Sequence, residues 1–97
     1  TNAVCMPAVL DFNAPAIAPR FDQAAAYLGI AGGFDGFCRC VQDLNDSLGI
    51  PRKLAELGVT TEPLEALISG ALDDPSCGGN PRPLTHTALR DLFLAVV

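Results

Sequence analysis

The sequence is poor in histidine, the side chain that most often binds transition metals and transfers protons near neutral pH. Histidine occurs once, as His86, and there is no tryptophan. Transition-metal sites normally use several His, Cys or carboxylate ligands, and Cys38 and Cys40, two residues apart on a predicted helix, would point to different faces. No Ser–His–Asp or Cys–His arrangement with meaningful spacing is present. We therefore predict that this chain holds no catalytic residue and no metal ligand of its own.

Basic charge is also scarce. Six Lys and Arg residues stand against eleven Asp and Glu, and the net charge is −5. The basic residues are scattered along the chain, so we expect no nucleic-acid partner. No uncharged apolar run approaches the roughly 18 residues that span a bilayer, and no signal peptide is visible, so we expect no membrane partner.

The four cysteines are irregularly spaced along the chain. One interpretation is that the four cysteines form two disulfides in a secreted protein. Three of the four cysteines lie in apolar helical patterns, however, which favours buried free thiols in a reducing compartment. The expected location is therefore cytoplasmic.

Strand signals are absent and helical signals are abundant. Apolar residues recur at spacings of three and four in residues 34–49, 62–74 and 85–97, which predicts three amphipathic helices. Thr61 or Glu62 should begin the second, and Thr85 should cap the third. The apolar stripes of the first two helices are Phe34, Phe37, Cys38, Val41, Leu44 and Leu48, then Leu64, Leu67, Ile68, Ala71 and Leu72. In the third helix Leu89, Leu92, Phe93 and Val96 should face inward.

Further helical pieces are predicted at 1–16, 20–29 and 51–58. The fold class is therefore all-α, a helical bundle of about five to six helices in a single segment, 1–97. Three of the helices should end alike, because Gly29, Gly49 and Gly58 each follow a leucine and precede an apolar residue. Glycine takes the left-handed position after a helix, and the next apolar residue folds back on the last turn.

The stretch DPSCGGNPR, residues 74–82, interrupts the helical pattern. Asp73 and Asp74 place negative charge at the end of a helix, where it is unfavourable. This departure marks either a functional position or, the interpretation we favour, a turn that Asp74 begins and Pro75 continues. The adjacent glycines lack the lysine and the spacing of a phosphate loop.

Several stretches, taken in order, resemble the iron-containing (group III) alcohol dehydrogenases. ALDDPSCGGNPRPLT, followed by a short helix, is similar to the C-terminal segment of that family, and LGIPRKLAELGV is similar to one of its connections. TNAVCMPAVLDFNAPA resembles the family segment in which a metal-binding His-Gly is followed by Asn-Ala, an apolar residue and proline, and then Phe-Asn. The resemblance covers essentially all 97 residues.

The resemblance implies that the chain is the last part of the all-helical, dehydroquinate synthase-like domain of a two-domain enzyme. In that family an N-terminal α/β domain binds NAD(P), and one Asp and three His hold a divalent metal, usually Fe(II). The reaction interconverts a small alcohol and its aldehyde or ketone. The partners implied are the upstream helical and nucleotide-binding domains and the substrate, and a homodimer is a possible assembly.

The same resemblance places the last metal histidine just before Thr1. We therefore expect that the chain alone binds neither the metal nor NAD(P) and is inactive by itself. It also implies that the loop approaches the substrate pocket, with Ser76 at a lining position and Cys77 beside it, although a shift of one residue would exchange the two. A structural role, in a tight turn stiffened by proline, is assigned to Gly78, Gly79, Asn80 and Pro81.

The alternative is a stand-alone helical interaction module without catalysis. Its support is the apolar surface that a short helical segment would expose. Such a module should begin with a capped helix and an initiator methionine, and TNAVC supplies neither. We therefore favour the interpretation as the C-terminal fragment of a larger enzyme.

Overall fold

The chain forms four α-helices joined by turns. The computed structural model describes all of residues 1–97, with α1 at Asn2–Leu28, α2 at Gly33–Ser47, α3 at Leu64–Asp73 and α4 at His86–Val96. Single 3-10 turns lie at Leu54–Leu57 and Pro75–Gly79. No strand is formed, and the all-α prediction is confirmed.

The number of helices is lower than the about five to six expected. The pieces predicted separately at 1–16 and 20–29 are one continuous helix, α1, which accommodates Pro15 and Pro19. Both prolines are exposed, and so are the residues four positions earlier. Water can therefore bond the carbonyls that lose their helical donors, and the prolines interrupt the hydrogen-bond ladder without ending the helix.

Pro7 of α1 has a different consequence, because the carbonyl that it frees faces α2. Its missing N–H leaves the carbonyl oxygen of Ala3 without a helical donor. Asn45 of α2, which is buried, donates from Nδ2 to this oxygen over 2.8 Å. The amide thus replaces the missing helical bond, which accounts for a polar side chain buried between the two helices.

The three predicted glycine endings are confirmed. Gly29, Gly49 and Gly58 have φ angles of 74°, 69° and 85°. In each case the N–H of the following apolar residue donates to a carbonyl five residues earlier, as in Ile30 to Ala25 over 2.8 Å. This is the Schellman arrangement, which satisfies carbonyls that a helix end would leave unpaired.

The boundaries of α3 and α4 agree with the sequence to within a few residues. α3 begins at Leu64 with Pro63 in the N-cap position, later than the start predicted at 61 or 62, because the residues before it form a turn closed by the Leu64 N–H and the Thr61 carbonyl. Thr85 caps α4 as predicted, its Oγ1 accepting an N–H of the first turn over 3.1 Å.

The largest buried cluster is small and joins distant parts of the chain. Val4 of α1, Leu54 of the first 3-10 turn and Val96 of α4 form it. Ile50 and Val59, the apolar residues that follow two of the helix-ending glycines, pack against it. The glycine endings therefore direct side chains into the core as well as ending their helices.

α2 packs on α1 through aromatic contacts, but not along the whole predicted stripe. Phe21 of α1 lies edge-on to Phe34 and Phe37 of α2, with ring centroids 6.1 and 4.9 Å away. Leu44 and Leu48, at the end of the predicted stripe, are 56% and 66% exposed within this chain. α1 is the only helix packed broadly against α2, and it covers only part of the apolar face.

Gly36 of α2 is required by a close contact, and its replacement should destabilise the fold. A Cβ at this position would lie well inside contact distance of the Ala31 carbonyl oxygen. We expect Gly36→Ala to lower the free energy of unfolding by about 1–3 kcal/mol, the usual range for overpacking. Gly70→Ala in α3 is the matched control, because a Cβ there meets nothing within 4 Å. Denaturant unfolding should show that the control is neutral or more stable, and equal losses would contradict this account.

The Asn45 amide should contribute to the free energy of unfolding mainly while Pro7 is present. Asn45→Ala leaves the Ala3 oxygen unpaired and should lower the free energy of unfolding by about 1–3 kcal/mol. In a Pro7→Ala background the backbone N–H at position 7 is restored, so Asn45→Ala should be clearly less destabilising. A double-mutant cycle in denaturant measures this coupling. The same loss in both backgrounds would show that Asn45 has another role.

Candidate functional site

A polar groove of about 600 Å³ lies beside the loop that connects α3 to α4. We call residues 74–82 the 74–82 loop. Its walls include acidic side chains from the end of α3, the thiol of the loop and the proline-rich approach to α4. Among the lining residues are Asp73, Asp74, Cys77, Asn80 and Arg82. The groove is the only one in the structure that combines charged groups, a thiol and backbone of an irregular loop, so it is the candidate site.

Asp74 begins the loop as predicted. Its Oδ1 accepts the N–H of Ser76 over 2.8 Å, and Pro75 occupies the first position of the 3-10 turn. The backbone hydrogen bond from Ser76 stabilises the carboxylate and lowers the pKa of Asp74 below its ordinary value. The acidic group at the end of α3 therefore holds a turn, and the unfavourable interaction with the helix end is offset by this bond.

The two residues proposed to line a pocket lie side by side but differ in exposure. Ser76 is exposed and does not line the groove, whereas Cys77 is half-buried and does. All four cysteines are free thiols. Within residues 1–97, Cys77 rather than Ser76 faces the groove directly, and Ser76 lies on the outer side of the same turn.

The two glycines of the loop are not explained by turn geometry. We expected Gly78 and Gly79 to permit a tight turn, but neither has a positive φ. A Cβ at either position would meet nothing within 4 Å. The 3-10 turn would accept other residues here, so nothing within residues 1–97 requires glycine at these two positions.

The end of the loop is tied to the middle of α1. Asn13 and Asn80 form a reciprocal amide pair, in which each Nδ2 donates to the other Oδ1, over 2.9 and 2.8 Å. Nδ2 of Asn80 also donates to the carbonyl of Arg82 over 2.7 Å. The guanidinium of Arg82 donates to the carbonyl of Phe12 and lies over the Phe12 ring, 4.2 Å from its centroid.

Sequence reasoning did not find Asn13. It is 5% exposed and lies three residues after the buried Leu10, on the inward face of α1. A polar side chain at an apolar-face position is the one signal that could have indicated it, because a buried amide needs partners. The sequence alone does not name Asn80 as that partner.

The single histidine lies away from the groove. His86 Nε2 is 2.8 Å from Glu65 Oε2, and Arg90 approaches the other carboxylate oxygen at 3.9 Å. All three side chains are more than half exposed, so these contacts between α3 and α4 contribute little to stability. No group of three or more His, Cys, Asp or Glu side chains is placed to hold a metal ion.

A second groove, of about 240 Å³, is lined by nine apolar residues and Cys5. It runs between α1, α3 and α4, with Val9, Leu67 and Phe93 among its walls. It has a thiol but no charged side chain and no irregular loop that could orient a reacting molecule, so it is not the candidate site.

None of the helices is both long enough and apolar enough to cross a membrane.

Comparison with known proteins gives one family over the whole chain. Residues 1–97 match the model described as Fe-containing alcohol dehydrogenase family, C-terminal. Lactaldehyde reductase of Escherichia coli (strain K12) is 31% identical over 95% of this chain and 26% of its own length. 4-Hydroxybutyrate dehydrogenase of Cupriavidus necator is 36% identical over 95% of this chain and 25% of its own length. Maleylacetate reductase of Burkholderia cepacia is 31% identical over 95% of this chain and 24% of its own length.

The chain spans about a quarter of the length of these curated relatives. No solved structure gave a significant match. The family match covers α1, the 74–82 loop and α4 together, and the all-helical fold agrees with a C-terminal helical region. The chain belongs to the Fe-containing alcohol dehydrogenase family and corresponds to its C-terminal part.

Proposed function

We propose that this chain is the C-terminal helical segment of a metal-dependent, NAD(P)-linked alcohol dehydrogenase, and that its 74–82 loop lines the substrate pocket. The reaction would interconvert a small alcohol and its aldehyde or ketone. The observation that carries the proposal is the pair Gly78 and Gly79, of which Gly78 lines the groove, although no turn geometry or neighbouring atom requires glycine at either position. Glycine is expected where a ligand or another chain segment approaches the backbone closely.

The exposed apolar surface of the chain supports packing against further parts of the same enzyme. Only nine of the 97 residues are buried, although about half of the chain is hydrophobic. Apolar side chains that are more than half exposed include Tyr27, Leu28, Leu44 and Leu48. Together with the quarter-length coverage of relatives, this favours packing against upstream helical and nucleotide-binding parts of the same enzyme over a stand-alone interaction module.

The metal and the nicotinamide would be bound outside residues 1–97. No cluster of ligand side chains in this chain fits a metal ion, and the glycines of the loop lack the pattern of a phosphate-binding motif. The residues of this chain therefore fit neither a metal ion nor the phosphates of a nicotinamide cofactor. The role that we assign to this chain is to shape the substrate pocket. The free cysteines are consistent with a cytoplasmic enzyme.

Ser76 and Cys77 would form the part of the pocket wall that sets the size of the substrate. Both carry small side chains on a turn held at one end by Asp74. Cys77 lines the groove of this chain, whereas Ser76 is exposed and lies outside it, so the proposed pocket of the complete enzyme extends past the groove and includes both residues. A bulky side chain at position 76 would then occupy substrate space without disturbing the helices.

Ser76→Phe should therefore change substrate selection more than stability. In the enzyme expressed from its complete reading frame, we expect the KM for longer alcohols to rise by about tenfold or more, while the KM for the shortest substrate changes less. The reason is steric, because one misplaced ring excludes carbon atoms worth about 0.8 kcal/mol per buried methylene. The measurement is steady-state kinetics with a series of linear alcohols, beside thermal unfolding.

Ser69→Phe provides the matched control, since Ser69 is also an exposed serine but lies within α3 and outside the 74–82 loop. It should leave the alcohol series unchanged. If Ser76→Phe lowered thermal stability and activity together, with no dependence on substrate length, position 76 would be structural and the pocket assignment would be wrong.

A further inference from the structure

The 74–82 loop is attached to the rest of the fold at two points. At its start, Asp74 closes a turn on the end of α3. At its end, every hydrogen bond to an element other than α3 or the loop itself goes to Phe12 or Asn13 of α1. Ser76 and Cys77 lie between these two attachments, so their position relative to α1 depends on the second one.

The second attachment requires an amide at both positions. Asn80 uses one Nδ2 hydrogen for Asn13 and the other for the Arg82 carbonyl, while its Oδ1 accepts from Asn13. An amide can donate and accept at once, whereas a carboxylate only accepts. Asn13 is 5% exposed, so losing the partner would leave a desolvated amide unpaired.

Arg82 strengthens the same attachment by a different contact. Its guanidinium donates to the Phe12 carbonyl and lies on the Phe12 ring, which combines a charge-assisted hydrogen bond with a cation–π contact. Phe12 and Asn13 are adjacent in α1, and Asn80 and Arg82 are two residues apart in the loop. Two neighbouring residues of α1 therefore hold the end of the loop, from which the chain continues toward α4.

We infer that Asn13 and Asn80 are positioning residues for substrate binding, holding the wall formed by Ser76 and Cys77 in place from α1. The inference rests on the proposed function, because it assigns the pair to the same pocket. Neither amide needs to touch the substrate. The pair acts by limiting where the loop can lie.

Kinetics of the complete enzyme tests this with Asn13→Ala, Asn80→Ala and the double variant. Each single variant should raise the KM for the alcohol by about tenfold, the equivalent of about 1.4 kcal/mol, and leave the KM for the nicotinamide cofactor within about twofold. The double variant should match the larger single effect, because the pair acts as one unit. Gln23→Ala, an exposed amide on α1, is the control and should change neither constant.

A purely structural pair would lower the melting temperature and leave the alcohol KM unchanged, and that result would overturn the inference while the proposed function stands. If Asn80→Ala fails to fold, Asn80→Asp replaces it in the same kinetic measurement. Asp keeps the shape of the Asn side chain but lacks its hydrogen-bond donors. Absence of alcohol turnover in the unmodified enzyme would instead defeat the proposed function.

Thiol labelling supplies a readout that does not depend on activity. Cys77 is half-buried beside the attachment, and Cys5 lies on α1 away from the loop. Iodoacetamide should alkylate Cys77 several-fold faster in Asn80→Ala than in the unmodified enzyme, with Cys5 unchanged, as followed by peptide mass spectrometry. An unchanged rate at Cys77 would show that the amide pair does not hold the loop.

Discussion

The reciprocal amide pair of Asn13 and Asn80 is the constraint on which the position of the 74–82 loop depends. The two residues are 67 positions apart in the chain, and hydrogen bonds of 2.9 and 2.8 Å hold their side chains together. An unpaired buried amide is unfavourable by about 1–3 kcal/mol, so each residue stabilises the native arrangement only while the other is present. The loop therefore takes its place from α1, and its own sequence determines only the local turn at Asp74.

α1 also provides hydrogen-bond acceptors that position α2. The carbonyl that Pro7 frees on Ala3 accepts the amide of Asn45 in α2. Asp22 accepts the N–H of Phe34 over 2.7 Å and so caps the start of α2 from the neighbouring helix. A helix that contains three prolines thus offers carbonyl, carboxylate and amide groups to its neighbours, and these polar contacts specify the packing of a chain whose buried core is small.

Local features were predictable from the sequence and long-range pairings were not. The endings at Gly29, Gly49 and Gly58 and the Thr85 cap depend on residues within one turn, so the pattern around them is sufficient. The exposure of Leu44 and Leu48 in this chain was not predictable, because periodicity identifies an apolar face but not what packs against it. The hydrogen bonds from Asn45 to the Ala3 carbonyl and between Asn13 and Asn80 join residues 42 and 67 positions apart, and a single sequence carries no sign of such pairing. The role proposed for Ser76 rests on family resemblance alone, since its exposed position carries no chemical signal.

We propose that the 74–82 loop forms part of the substrate pocket of a complete alcohol dehydrogenase. The most direct test of this proposal is a crystal structure of the complete enzyme with an alcohol and the nicotinamide cofactor bound. The account predicts that the side chain of Ser76 or Cys77 lies within about 4.5 Å of a carbon atom of the alcohol, with the Asn13–Asn80 pair intact. A loop that faces bulk solvent, with the alcohol enclosed by other elements, would contradict it.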